Sequence, residues 1–167
     1  MRKELFIDIE TNDSLDPKTG LITQIAYIYR EDGKLKGEGD LRSNPDAKDN
    51  KVIYGLFTND LNKFVDRYNK EDKLYFIAYN APFDNNFIRE MFLQNGDKFF
   101  GSYFYSPHLC IMNLAAFRYQ RKGKRPENFK LATVCKDMGI EVNEDKLHDA
   151  SYDIQLSKEL YNKLIKF

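Results

Sequence analysis

The chain has no tryptophan, only two cysteines and no net charge, since 26 Lys and Arg balance 26 Asp and Glu over 167 residues. Each shortage excludes something. Cys110 and Cys135 are too few for a disulfide framework, and neither stands in a metal-finger spacing. They are expected to be small core residues in a reducing compartment. A neutral chain is unlike the basic proteins that hold nucleic acid tightly along its length, but it is compatible with an enzyme that grips a strand end and releases it. No apolar run approaches membrane-spanning length, and Met1-Arg2-Lys3-Glu4 leads straight into a short apolar strand rather than a leader segment. A soluble, cytoplasmic protein with no membrane partner is expected.

The length suits one domain, residues 1–167, and is too short for two comfortable ones. Hydrophobic residues make up 42% of the chain, and 13 Phe and 11 Tyr carry much of that share, so a core is within reach. Leu5 to Glu10 reads as an apolar strand bearing two acids, and the β-branched and aromatic run Leu21 to Arg30 as a second. Glu31-Asp32-Gly33-Lys34 is a hairpin turn of the Asp-Gly kind, leading to a third strand at about Leu35 to Arg42. Ser43 to Asn50 reads as polar loop. Leu61, Phe64, Val65 and Tyr68 at helical spacing predict a helix over about 60–70. Leu74 to Tyr79 reads as a strand and Phe83 to Gln94 as a helix. A short strand near 108–111 is followed by a helix from Met112 to Tyr119. A basic loop, Gln120 to Asn128, precedes a helix marked by Leu131, Val134, Cys135 and Met138 that Gly139 stops. A last helix covers about Asp149 to Lys166. Three hairpin-joined strands followed by alternating helices and strands predict an α/β fold, a mixed sheet with helices packed on it.

Asp8 and Glu10, two apart on a strand, leave the same face. Neighbouring carboxylates in a sheet interior repel each other, and desolvation adds to the cost. A cation between them removes both problems, and Mg²⁺ or Mn²⁺ favours oxygen ligands. Alone, Asp-x-Glu reads equally as a solvated strand end. Asp84 falls in the first turn of a helix after Ala81-Pro82, where an acid is ordinarily a stabilising neighbour of the helix N-terminus. Asp153 lies near the start of the last helix, at the edge of its packed side, where alone it would be surface charge.

Together the three segments resemble the motifs of the DEDD exonuclease superfamily, in its DEDDh or DnaQ-like branch. That group includes the proofreading subunit of bacterial replicative DNA polymerase, ribonuclease T and oligoribonuclease. Asp8-Ile9-Glu10-Thr11 resembles the first motif, Asn80-Ala81-Pro82-Phe83-Asp84 the second, and His148-x-Ala150-x-x-Asp153 the third. The sister DEDDy branch has Tyr four residues before the last Asp, where this chain has Asp149; His148 stands five before, as the h branch requires. Two departures occur, at Tyr79, where a His often precedes the second-motif Asn, and around Cys110, where an acid is common. Neither position is one of the four ligands.

The resemblance implies a ribonuclease H-like mixed five-stranded sheet flanked by helices, and a 3′→5′ exonuclease. It implies that Asp8, Glu10, Asp84 and Asp153 hold two divalent ions, Mg²⁺ or Mn²⁺, at the scissile phosphate. Asp8 would bridge the ions, Glu10 and Asp153 would complete the coordination of the first ion, and Asp84 would support the second ion directly or through water. His148 would take the proton of the attacking water, releasing nucleoside 5′-monophosphates from the 3′ end of a strand, expected to be single-stranded. His108 is expected to be structural. For the strand end the resemblance points to Thr11, Asn12 and Leu15, with Leu15 as a wedge against the last base. Phe83 and Phe87 are further candidates for a base contact, and core packing is the competing reading of Phe87. Arg118, Arg121, Lys122, Lys124 and Arg125 form the one local basic patch, equally readable as a backbone grip or a solvated loop. A non-catalytic adaptor with this fold would have lost one of the five site residues, and none is lost. The chain stops at Phe167, soon after the last helix, which favours a stand-alone nuclease over a polymerase-bound one, with a homodimer also open. The motifs encode no 2′-hydroxyl contact, so DNA and RNA both remain candidates.

Overall fold

Alternation along Lys3–Thr11 builds the central strand, β1, with Leu5, Ile7 and Ile9 directed to one face of the sheet and Phe6, Asp8 and Glu10 to the other. The computed structural model describes residues 1–12 and 14–166. β2 (Ile22–Glu31) runs antiparallel to β1, and β3 (Lys34–Arg42) antiparallel to β2. The turn between β2 and β3 takes positive φ at Asp32 (48°) and Gly33 (81°), the geometry that Asp-Gly hairpins favour. β4 (Tyr75–Ala78) and β5 (Leu109–Cys110) add in parallel on the other side, giving the five-stranded order β3-β2-β1-β4-β5.

Helices cover both faces. On the face of Leu5, Ile7 and Ile9 lie α1 (Lys51–Phe64) and α2 (Ala81–Gln94), which bury Ile53, Phe57, Leu61, Phe87, Ile88 and Met91. On the face of Phe6 lie α3 (Ile111–Arg121), α4 (Leu131–Asp137) and α5 (Ala150–Leu164), which contribute Ile111, Ala115, Val134, Cys135, Ile154 and Leu160. Gly139, at φ +71°, follows α4 as the sequence predicts. Both cysteines are free and buried. No helix among the described residues is long and apolar enough to cross a membrane.

One helix was misplaced by pattern. The predicted helix over 60–70 is instead α1 at Lys51–Phe64, with Val65 already extended and Tyr68 89% exposed. Its buried stripe is Ile53, Phe57 and Leu61, spaced by four. Gly55, Thr58 and Asn59 are weak helix formers that hide this stripe, which tertiary burial then stabilises.

α5 is fixed to the sheet near both its ends. Toward its C-terminus, Arg30 of β2 pairs with buried Glu4 of β1 at 2.8 Å and donates to Asn162 at 3.0 Å. Tyr161 stacks edge-on against Phe6, ring centroids 5.2 Å apart. Its N-terminus is held where β1 ends.

Candidate active site

The acids of β1 emerge where the β1–β2 register shifts between Glu10 and Thr11, a bulge of the kind that re-aims side chains beside functional sites. Asp84 comes to them from the first turn of α2. Its Oδ1 accepts the Ile9 N–H at 3.2 Å, so the α2 acid is tied to the backbone between Asp8 and Glu10. Asp84 thus links β1 to the first turn of its own helix, whose Asp84 N–H also faces the carboxylate. Asp153, in the first turn of α5, arrives from the opposite face of the sheet. Its Oδ2 accepts the His148 N–H at 3.2 Å, folding the His148 loop back over it.

His148 holds a left-handed backbone, φ +67°, a conformation uncommon for residues other than glycine, though histidine adopts it more often than most. This bend places its ring with the acids. Ligand-capable atoms of Glu10, His148 and Asp153 all lie within 4.8 Å of one another. His108 precedes β5 and is not one of them. Of the five motif residues the structure thus brings Glu10, His148 and Asp153 together, ties Asp84 to the Ile9 N–H of the same strand, and leaves Asp8 outside that 4.8 Å group, on the strand face it shares with Glu10.

Burial is the main cause of the electrostatics here, and repulsion among the acids adds to it. Asp8 is held well above the ordinary carboxylate range by burial, then by Asp84, Asp153 and Glu10. Burial pushes Asp84 up to about 8, with Glu10 adding to the shift and the bond from Ile9 N–H opposing it. Glu10 is raised by burial and by Asp153, and His148 partly offsets this. Asp153 is raised by burial, against the bond from His148 N–H. Asp149 behaves oppositely. Hydrogen bonds from the Ser151 hydroxyl and from Arg42 (2.9 Å) lower it to about 2.

These residues fit a divalent cation. Asp153 Oδ1 is buried and finds no hydrogen-bond partner among the described residues. An orphaned carboxylate oxygen is costly to keep unless something positive faces it. The donor set is mainly carboxylate oxygen, which suits Mg²⁺ or Mn²⁺ better than a soft ion.

The residues expected at the strand end divide. Leu15 is 82% exposed on the loop after β1. The Thr11 hydroxyl donates to Ser14 O at 3.3 Å, and Asn12 Oδ1 accepts the Leu21 N–H at 2.7 Å, so both side chains also shape that loop. Phe83 is half-buried, its ring 4.8 Å from that of Phe87. Phe87 is only 2% exposed and lies under Gly20, where a Cβ would come within 2.6 Å of its ring. Core packing is therefore the reading that holds for Phe87, with no ring face left for a base.

The basic patch divides as well. Arg118 lies within α3, in the helix expected there, and donates to Lys163 O at 3.0 Å, capping the end of α5; Arg121, expected in the loop, ends the same helix. Arg121, Lys122, Lys124 and Arg125 remain exposed. An open groove of about 510 Å³ runs past Lys146, His148, Tyr152 and Gln155 beside the cluster. A larger hollow of about 670 Å³ lies by Lys3 and Asp72, at the other end of β1 from the acids. Gln24, which sequence reasoning missed, completes the surroundings. It is 4% exposed, stands opposite Glu10 in the ladder, and accepts the Ala150 N–H at 3.3 Å. No motif marks it.

No curated protein matches the chain in sequence. Among solved structures, E. coli exonuclease I in complex with a dT13 oligonucleotide aligns at TM-score 0.73 and 17% identity, covering 99% of this chain and 41% of that one. The zinc-bound form of the E. coli exonuclease I–single-stranded DNA complex aligns at 0.74 and 18%, covering 99% and 41%. Ligand-free exonuclease I aligns at 0.69 and 18%, covering 99% and 42%. The chain thus spans about four-tenths of the length of the structures it matches, and the likeness is one of fold. A sequence model of the RNase_H superfamily covers residues 5–156, from the first core residue of β1 to beyond Asp153. With the β3-β2-β1-β4-β5 sheet, helices on both faces and acids gathered at the end of the central strand, this chain belongs to the RNase_H superfamily.

Proposed function

We propose that this domain is a 3′→5′ exonuclease that hydrolyses the terminal phosphodiester of a single-stranded DNA or RNA end. One observation carries the reading. Glu10 from β1 and the His148–Asp153 pair from α5 and the loop before it meet within 4.8 Å, beside Asp8 and Asp84. A surface or structural role would leave such acids apart and solvated. Burial and mutual repulsion instead hold Asp8 and Asp84 above the ordinary carboxylate range, the kind of perturbation that gathers at functional sites. The same residues carry the DEDDh pattern, and the relatives in fold include exonuclease I bound to a DNA oligonucleotide.

Asp8, Glu10, Asp84 and Asp153 are the residues that would hold two divalent ions, Mg²⁺ or Mn²⁺. Bound there, such ions supply Lewis acidity and neutralise charge at a phosphate. The rest is the work of the chain. His148 accepts the proton of the attacking water, and its N–H bond to Asp153 keeps the imidazole beside the acids. Water adds its oxygen to phosphorus and the 3′ oxygen of the penultimate nucleotide leaves. The products are a nucleoside 5′-monophosphate and a strand one nucleotide shorter. Exposed Leu15, with Thr11, Asn12 and Phe83 nearby in the motifs, contacts the last nucleotide. The groove past Lys146 and Gln155 receives the strand.

The test is a matched panel of 5′-labelled single- and double-stranded DNA and RNA oligonucleotides, incubated with Mg²⁺ or with chelator. Ladders that shorten from the 3′ end only with metal are expected. Absence of cleavage on every substrate, with metal bound, would favour a binding module that keeps the fold without the chemistry.

A further inference from the structure

Gln24 has both ends of its amide committed. Its Oε1 accepts the Ala150 N–H at 3.3 Å, and its Nε2 donates to Asp40 Oδ1 at 2.8 Å. Ala150 is the first residue of α5, and its N–H is one of those with no partner inside the helix. Such groups are usually satisfied by the residue just ahead, as Asp149 does for the Ser151 N–H at 2.9 Å. Ala150 is satisfied from 126 residues away instead. A second strut lies beside the first. Arg42 of β3 bridges Asp40 at 3.0 Å and Asp149 at 2.9 Å. Those partners are exposed and their pairing is screened, so the buried glutamine is the firmer constraint.

Position gives this contact its consequence. Gln24 is the cross-strand partner of Glu10, so the two side chains leave the same face side by side. Ala150 stands two residues after His148 and three before Asp153. One amide therefore links the half of the site on β1 to the half on α5. We propose that Gln24 is a positioning residue, which sets the separation between the β1 carboxylates and the His148–Asp153 pair by holding the first turn of α5. This rests on the nuclease reading above. Glutamine is the side chain that meets both demands, an acceptor for Ala150 and a donor for Asp40. Glutamate keeps the acceptor but opposes Asp40 and Glu10 with a third charge. Methionine fills the space and supplies neither group.

Three proteins test this: wild type, Gln24→Met and Gln24→Glu, each checked for fold by circular dichroism. Hydrogen exchange of the Ala150 amide, followed by NMR in chelator, reports the contact without any activity. In Gln24→Met, exchange at Ala150 should rise about tenfold or more while core amides of β1 stay protected. On a labelled oligonucleotide with Mg²⁺, its kcat should fall on the order of 10–100-fold with KM within about threefold, as misplacement of a reacting group by about an ångström produces. Gln24→Glu should recover part of both. Wild-type protection of Ala150 in Gln24→Met, or unchanged kcat, overturns the proposal. A wild type that cleaves nothing overturns the nuclease reading alone, and the exchange data then still decide whether Gln24 holds α5. If Gln24→Met does not fold, Gln24→Glu decides: Ala150 exchange that rises together with a fall in kcat supports the proposal, and a fall in kcat with Ala150 as protected as in wild type, or faster exchange at wild-type kcat, overturns it.

Discussion

Replacing Asp84 with asparagine should stabilise this protein when metal is removed. Asp84 is buried and its carboxyl is pushed up to about 8, against an ordinary 3.8. A carboxyl raised on folding makes the folded chain bind more protons than the unfolded chain. The stability it confers is therefore full below the unfolded value near 4 and is lost as pH rises through about 8. The interval between those values, at about 1.4 kcal/mol per pH unit, sets a ceiling of about 6 kcal/mol on the penalty at alkaline pH. Asparagine keeps an oxygen for the Ile9 N–H and carries no charge. In urea titrations with chelator, Asp84→Asn should exceed wild type by at least about 1 kcal/mol at pH 8. The gap should narrow steadily toward pH 4, with a slope no steeper than about 1.4 kcal/mol per pH unit. Equal or lower stability of the variant at pH 8, or a gap that ignores pH, would refute the electrostatic account of the site.

Metal should narrow that gap. Mg²⁺ at about 100 times its dissociation constant should raise wild-type stability by about 2.7 kcal/mol, more at pH 8 than at pH 5.5, and should leave Asp84→Asn nearly unchanged in calorimetric scans. Asp8→Ala and Asp153→Ala should abolish cleavage with the fold intact by circular dichroism, and wild-type rates in either would remove the metal reading. Phe87→Ala should cost about 3–5 kcal/mol in denaturant titrations through its cavity under Gly20. Leu15→Ala should stay within about 0.5 kcal/mol of wild type and raise KM in oligonucleotide assays, because the side chain is exposed.

The acids were legible because their spacing is local. Asp8 and Glu10 share a strand face at a separation of two, and His148 stands five residues before Asp153, so a single sequence carries both patterns. What joins them does not appear in any window. Ile9 reaches Asp84 across 75 residues and Ala150 reaches Gln24 across 126. Gln24 is a polar residue in a strand buried on both faces, and nothing in its local sequence marks its partner. α1 was misread because Gly55, Thr58 and Asn59 blur the Ile53–Phe57–Leu61 stripe, whereas Leu61, Phe64 and Val65 mimic one. Phe87 lay open between two readings until Gly20, 67 residues earlier in the chain, was found seated on its ring.

The left-handed backbone at His148 has an evolutionary corollary. Glycine would sit there with less strain, since a positive φ costs a residue that carries a Cβ something on the order of 1 kcal/mol or more. Drift alone would then favour replacing the histidine, and only selection for its ring opposes that drift. Descendants of this fold that have given up their chemistry should therefore show Gly at this position before the hydrophobic faces of β1 and α5 change at all.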